Sequence, residues 1–96
     1  MKFFKTTDEK LADLGYKKLK EDRFGASYLD ENKAPGFIHI VDLLHKSNTW
    51  SILQSYDKYL MDENKIGCVC VGLNYKELKL FTKKMKELGF HKLTRI

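Results

Sequence analysis

The order of apolar and polar positions divides the chain into a short helical stretch, a run of extended segments and a longer second helix. Thr6-Thr7-Asp8-Glu9 opens as a capping box, in which the Thr6 hydroxyl accepts from the third helical amide while Glu9 reaches back to the cap. Leu11 and Leu14 then fall on one helical face, and Gly15 supplies a left-handed stop. The spacing predicts about two turns of helix, too short to persist by propensity and therefore held by packing.

From Tyr16 onward the pattern becomes extended and is punctuated by turn residues, which predicts strands near 16–21, 26–31, 37–44 and 49–55. The linkers at 22–25, 32–36 and 45–48 are short enough for hairpins, so consecutive strands become antiparallel neighbours in a meander. Phe37 to Leu44 is apolar on both parities and suits a central strand, whereas Lys17, Lys18 and Lys20 suit an edge. In 56–67 the polar residues Asp57, Asp62, Glu63 and Asn64 interrupt Tyr59-Leu60-Met61, so this stretch reads as a long connection. Cys68 to Val71 follows as a possible fifth strand.

Asn74-Tyr75-Lys76-Glu77 repeats the capping logic with Asn as the cap. Leu78, Phe81, Met85 and Leu88 then recur at spacings of 3, 4 and 3, and Gly89 stops the helix. The expected fold is α+β: a short N-terminal helix, a four-stranded antiparallel meander with a possible fifth strand, and a C-terminal amphipathic helix packed on one face.

Composition bounds what such a fold can be. Ninety-six residues, 43% hydrophobic and 32% charged, fit a single domain over 1–96 and leave little room for a large enclosed active site. No apolar run approaches the roughly 20 residues of a membrane span, and Met1 to Lys5 has no apolar stretch behind it. A cytoplasmic protein without membrane attachment is expected. The formal charge is +5, and its distribution is uneven: residues 74–96 carry 7 basic and 2 acidic side chains, while the rest of the chain is balanced. A polyanionic partner would therefore meet the C-terminal element.

Within that element Lys76, Lys79, Lys83 and Lys86 form a stripe opposite the apolar one, which either solvates the outer face or follows a phosphate backbone. Lys84, His91, Lys92 and Arg95 extend the basic character, but no arginine lies within the helix, which disfavours bidentate phosphate contacts and sequence-specific readout. Leu80, among the lysines, and Tyr59, in the 56–67 connection, are the candidate partner contacts.

Other chemistry is sparse. Cys68-x-Cys70 places two thiols on one side of a strand, but this is half a metal site, and the expected environment for both is an apolar core. His39-x-x-Asp42-x-x-His45 fails as a ligand set on a strand, since the two histidines stand about 20 Å apart and Asp42 points the other way. Tyr28, Trp50, Tyr56 and Tyr59 are expected to pack rather than to stack on bases. The serines sit in no nucleophile elbow, and no phosphate or dinucleotide loop occurs. No catalytic residue, cofactor, metal or small-molecule substrate is expected.

At Asp13-Leu14-Gly15-Tyr16-Lys17-Lys18-Leu19, at Leu73-Asn74-Tyr75-Lys76-Glu77-Leu78 and at Lys86-Glu87-Leu88-Gly89-Phe90 the chain resembles small uncharacterised proteins encoded by phages and prophages of low-GC Gram-positive bacteria. The resemblance implies the same α-β-α ordering and transfers no catalytic residue. The functional expectation is a non-enzymatic accessory or regulatory protein that binds a protein partner or itself, through a sheet edge or the 56–67 stretch. The alternative is weak, non-specific nucleic-acid binding through the lysine stripe.

Overall fold

A computed structural model describes residues 5–47, 50–62 and 65–89. The order is α1 (Thr7–Asp13), β1 (Lys17–Asp22), β2 (Gly25–Asp30), β3 (Phe37–Ser47), β4 (Trp50–Asp62), β5 (Lys65–Cys70) and α2 (Tyr75–Glu87). Both capping boxes form, with Thr6 accepting from the Glu9 amide and Asn74 from the Glu77 amide. Gly15 follows α1 at φ 106° and Gly89 follows α2 at φ 85°, a backbone conformation that side-chain-bearing residues rarely adopt.

The strands form one antiparallel sheet in the order β1-β2-β3-β4-β5. The fold is thus α+β, and the meander has five strands. One expectation is corrected: 56–67 is no loop, because β4 runs on to Asp62 and β5 already begins at Lys65. Of the polar residues that suggested a connection, Asp57 is absorbed by pairing, standing opposite His39 in the ladder and holding its Nδ1 at 2.8 Å, while Glu63 and Asn64 lie outside the described residues.

Directly opposite residues in antiparallel strands share a face. Tyr28, Val41 and Ser55 form one such row, and Ala26, Leu43 and Leu53 another; these rows look toward the helices. There Leu11, Tyr16, Ala26, Tyr28, Val41, Leu43 and Phe81 make the buried core. Phe81 is its centre, with its ring edge-on to Tyr16 at 5.0 Å and to Tyr28 at 5.3 Å. Gly25 makes this close packing of β2 and β3 possible. At φ 148° its backbone passes Leu43 so closely that a Cβ would lie 1.9 Å from the Leu43 carbonyl oxygen.

α2 is turned from the expected orientation by roughly 50°, at about 100° per residue. Its buried residues are Glu77, Phe81 and Lys84, while Leu78 of the expected apolar stripe is 45% exposed. The cause is polar. Beneath α2, Tyr16 just before β1 donates its hydroxyl to Glu77 at 2.7 Å, and Glu21 near the other end of β1 takes the Lys84 ammonium at 2.8 Å. Burying Glu77 and Lys84 against these partners leaves no buried side-chain polar atom unsatisfied among the described residues. Leu80, expected on the solvent side, is carried inward to pack against the core, where Met85 and Leu88 of the expected stripe also pack.

Candidate interaction surfaces

Two surfaces of this fold are candidates for binding. The first is the far flank of the sheet. The helices meet β1, β2 and β3 through Tyr16, Tyr28, Val41 and Leu43. β5 lies two strands beyond and is exposed along its whole length except at Gly67, which is half-buried. Ile66 is 68% exposed, Val69 45%, and Leu60 opposite Ile66 69%. β5 is the last strand in the order, and among the described residues no strand pairs with its outer side. Tyr59 anchors this flank from within. Its ring stacks at a tilt on Phe37 at 5.5 Å and lies over Gly67, where a Cβ would come 2.5 Å from the ring. Gly67 is therefore the seat of an aromatic ring, a pairing that stabilises an edge glycine.

The two edges are built differently. β1 carries Lys17, Lys18 and Lys20, and its register shifts between Lys18 and Lys20. Lysines and a bulge are the devices that stop a strand edge from recruiting another chain. β5 has a single charge, at Lys65, and keeps an unbroken register from Cys70 back to Ile66.

Cys68 and Cys70 belong to this open flank, which corrects the expectation of an apolar core around them: both are exposed free thiols. Cys70 stands opposite Tyr56 and Cys68 opposite Lys58, so both look away from the helices. On the same face Asp42 accepts from Ser27 at 2.7 Å, Tyr56 at 2.9 Å and Gln54 at 3.1 Å. Burial and this carboxylate together push the Tyr56 hydroxyl up to about 12. His39 lies on the other face, buried between Asp57 and Ser55. His39 and Asp42 lie on opposite faces of β3, and among the described residues no group of three or more metal-ligating side chains occurs.

The second surface is the outer arc of α2 with the end of α1. It forms a broad, open depression of about 720 Å³ lined by Lys76, Lys79, Lys83 and Lys86, with Lys10, Leu14, Tyr75, Leu78 and Leu80 among its other residues. The structure thus brings the four expected lysines together and puts Leu80 beside them, half-buried, while Tyr59 lies on the other surface. None of these lysines makes an ion pair among the described residues. Lys84 is withdrawn from the basic surface by its bonds to Asp8 and Glu21. His91, Lys92, Arg95 and the ring of Trp50 lie outside the described residues.

The buried charges serve the fold rather than either surface. Burial alone would raise Glu77, but Lys33, Tyr16 and the Asn74 backbone outweigh it and hold the carboxyl below its ordinary value. Asp8 is likewise lowered against its burial, by Tyr28, Lys18 and Lys84. Lys84 is raised despite burial because Glu21 and Asp8 favour its charged form. Among the described residues no helix is long and apolar enough to cross a membrane. Comparison with protein-family models, with curated proteins and with solved structures returns no match.

Proposed function

We propose that this chain is a small non-catalytic accessory protein, of phage or prophage origin and cytoplasmic setting, that acts by self-association along β5. The observation that carries the reading is the contrast of edges. β5 offers an outer backbone side that no strand pairs among the described residues, apolar side chains and no charge on the strand beyond Lys65, whereas β1 is closed by lysines and a bulge. Identical strands pair antiparallel about a two-fold axis, which makes a closed, isologous dimer rather than an open array. In that arrangement the two Lys65 side chains fall at opposite ends of the joint, so like charges do not meet.

The test is the mass of the protein in solution by sedimentation equilibrium across a concentration series, in the presence of a reductant. A dimer that is lost on Val69→Lys, with unchanged circular dichroism, supports the reading. A monomer at every concentration, with and without added divalent cation, removes it. Because the contact is apolar and backbone-mediated, raising salt should leave the association nearly unchanged.

A second reading rests on the unpaired lysines. Lys76, Lys79, Lys83 and Lys86 on one open surface support weak, non-specific binding of a polyanion. Anisotropy of labelled duplex and single-stranded DNA should then show a log-log salt slope of roughly −3, from about three or four phosphate contacts. Changing the four lysines to Gln should abolish it. Absence of binding at low salt would leave these lysines as a solvating face.

A further inference from the structure

Among the described residues the two exposed thiols of β5 are joined by no further metal-ligating side chain. We propose that Cys68 and Cys70 are half of a tetrathiolate site for a thiophilic divalent cation of the zinc class, and that a second copy of the chain, paired antiparallel along β5, supplies the other half. The proposal rests on the self-association reading and assigns a ligand to the same joint.

Its geometry follows from the register. Cys68 and Cys70 face the same side of the strand, opposite Lys58 and Tyr56, and both are exposed and unbridged. Their Cα atoms stand about 6.8 Å apart, two strand residues. A structural zinc takes four ligands in a tetrahedron at about 2.3 Å from sulfur. The chain's other donors are placed elsewhere: His39 faces the helices against Asp57, and Asp42 is taken up by Ser27, Gln54 and Tyr56. Among the described residues no third metal-ligating side chain joins the two thiols, and in the proposed site the remaining two ligands come from a second copy.

An antiparallel pairing of two β5 strands centred on Val69 supplies them. It sets Cys68 of each copy opposite Cys70 of the other, and directly opposite side chains share a face with Cβ atoms roughly 4.5–5.5 Å apart. Four thiols then surround one two-fold axis, within the swing of their Cβ–Sγ bonds. Four thiolates around a divalent cation leave two negative charges. Lys58, directly opposite Cys68 on the same face, brings one ammonium per copy to offset them. Each thiol gives up its proton to solvent on binding, so affinity should rise with pH.

The experiment uses Co²⁺ as the probe, titrated anaerobically with a phosphine reductant into the wild-type protein, Cys68→Ser, Cys70→Ser and Val69→Lys, each checked for folding by circular dichroism. The expected result is the visible spectrum of tetrahedral, sulfur-bound cobalt, saturating at one ion per two chains with a doubled mass and bleached by Zn²⁺. Both serine variants should lose it, and Val69→Lys, which keeps both thiols, should lose the tetrathiolate spectrum along with the dimer. Saturation at one ion per chain in a monomer, or an unchanged spectrum in either serine variant, overturns the proposal. A metal-free dimer that takes up no cobalt also overturns it while leaving self-association standing. A monomer with and without metal removes both.

Discussion

The half of the sheet under the helices and the half beyond them are made from similar residue types and reach opposite solutions. On β2 and β3, Ala26, Tyr28, Val41 and Leu43 are almost wholly buried by α1 and α2. On β5, Val69 lies on the same face and stands in solvent, and on the face turned away from the helices Leu60 and Ile66 are exposed as well. Two helices of 7 and 13 residues cannot cover five strands, and where they are held decides which strands are left. They are held by charge and hydroxyl as much as by apolar contact: Glu77 to Tyr16 and Lys33, Lys84 to Asp8 and Glu21, and Tyr28 to Asp8. All of these sheet partners lie on β1, on β2 or just beside them, so the helices are drawn toward the lysine-bearing edge. The apolar flank is the remainder, and its outer strand is open among the described residues, the kind of edge that sheet proteins otherwise guard.

The comparison breaks first at Phe81. Its ring is fully buried between Tyr16 and Tyr28, and truncation to Ala removes the contact that joins α2 to the sheet. Phe81→Ala should lose about 3–5 kcal/mol in denaturant unfolding. That is a large part of the stability of a domain this size. If the loss is under about 1 kcal/mol, the covered half is not where the stability resides.

Glu77→Gln tests whether charge fixes the helices where they are. Gln can still take the Tyr16 hydroxyl but leaves Lys33 without its counter-charge, at an expected loss of about 1–2 kcal/mol at neutral pH. The acid limb gives the sign. Because the folded-state Glu77 carboxyl sits below its ordinary value, the stability it contributes is full above roughly pH 4.3 and drains away as pH falls through the lower folded value. Wild-type protein should therefore lose stability more steeply below about pH 4 than the Gln variant, measured by urea unfolding at stepped pH. Parallel curves would mean that the pair does not link to folding.

Much of this contrast can be read from the chain, and the part that cannot has a specific cause. Both caps, both glycine stops and the strands near 26–31 and 37–44 follow from local chemistry, and the structure has them close to where the pattern puts them. The orientation of α2 does not, because apolar spacing alone points to Leu78 while the buried face takes in Glu77 and Lys84. A charged residue on the inner face is legible only once Tyr16, Glu21 and Asp8 are known to lie beneath it. The second half of β4 is hidden for the same reason, since Asp57 looks like a loop residue until His39 is placed opposite it. The lysine cluster of α2 is fully legible, being a matter of helical spacing. The open thiols are not, because a short apolar run reads as core, and only the sheet order shows that β5 is last.

Gly67→Ala sharpens the comparison on the uncovered side. A Cβ there meets the Tyr59 ring 2.5 Å away, so the ring must swing off Gly67 and, with it, off Phe37. The ring is a mobile group and yields, which keeps the expected loss near 1 kcal/mol, the low end for added bulk. The change should appear as altered tyrosine fluorescence or shifted ring resonances with the covered half undisturbed. If unfolding instead becomes as weak as in Phe81→Ala, the two halves are one cooperative body and the contrast between them is only one of exposure.

Val69→Lys should have the smallest effect on folding and the sharpest on assembly. Val69 is 45% exposed on an edge strand, so its replacement should shift the unfolding free energy by no more than about 0.5 kcal/mol. The same lysine lies at the centre of the proposed joint, where two copies would bring like charges directly opposite each other, and it gives β5 the protection that β1 already has. Placing a lysine at Leu19 of β1, 51% exposed on the already guarded edge, is the matched control and should change neither stability nor mass. A mass that falls with Val69→Lys and holds with Leu19→Lys assigns the joint to β5. Equal responses at the two edges would mean that the lysines of β1 guard nothing and that the asymmetry of the sheet has no consequence for binding.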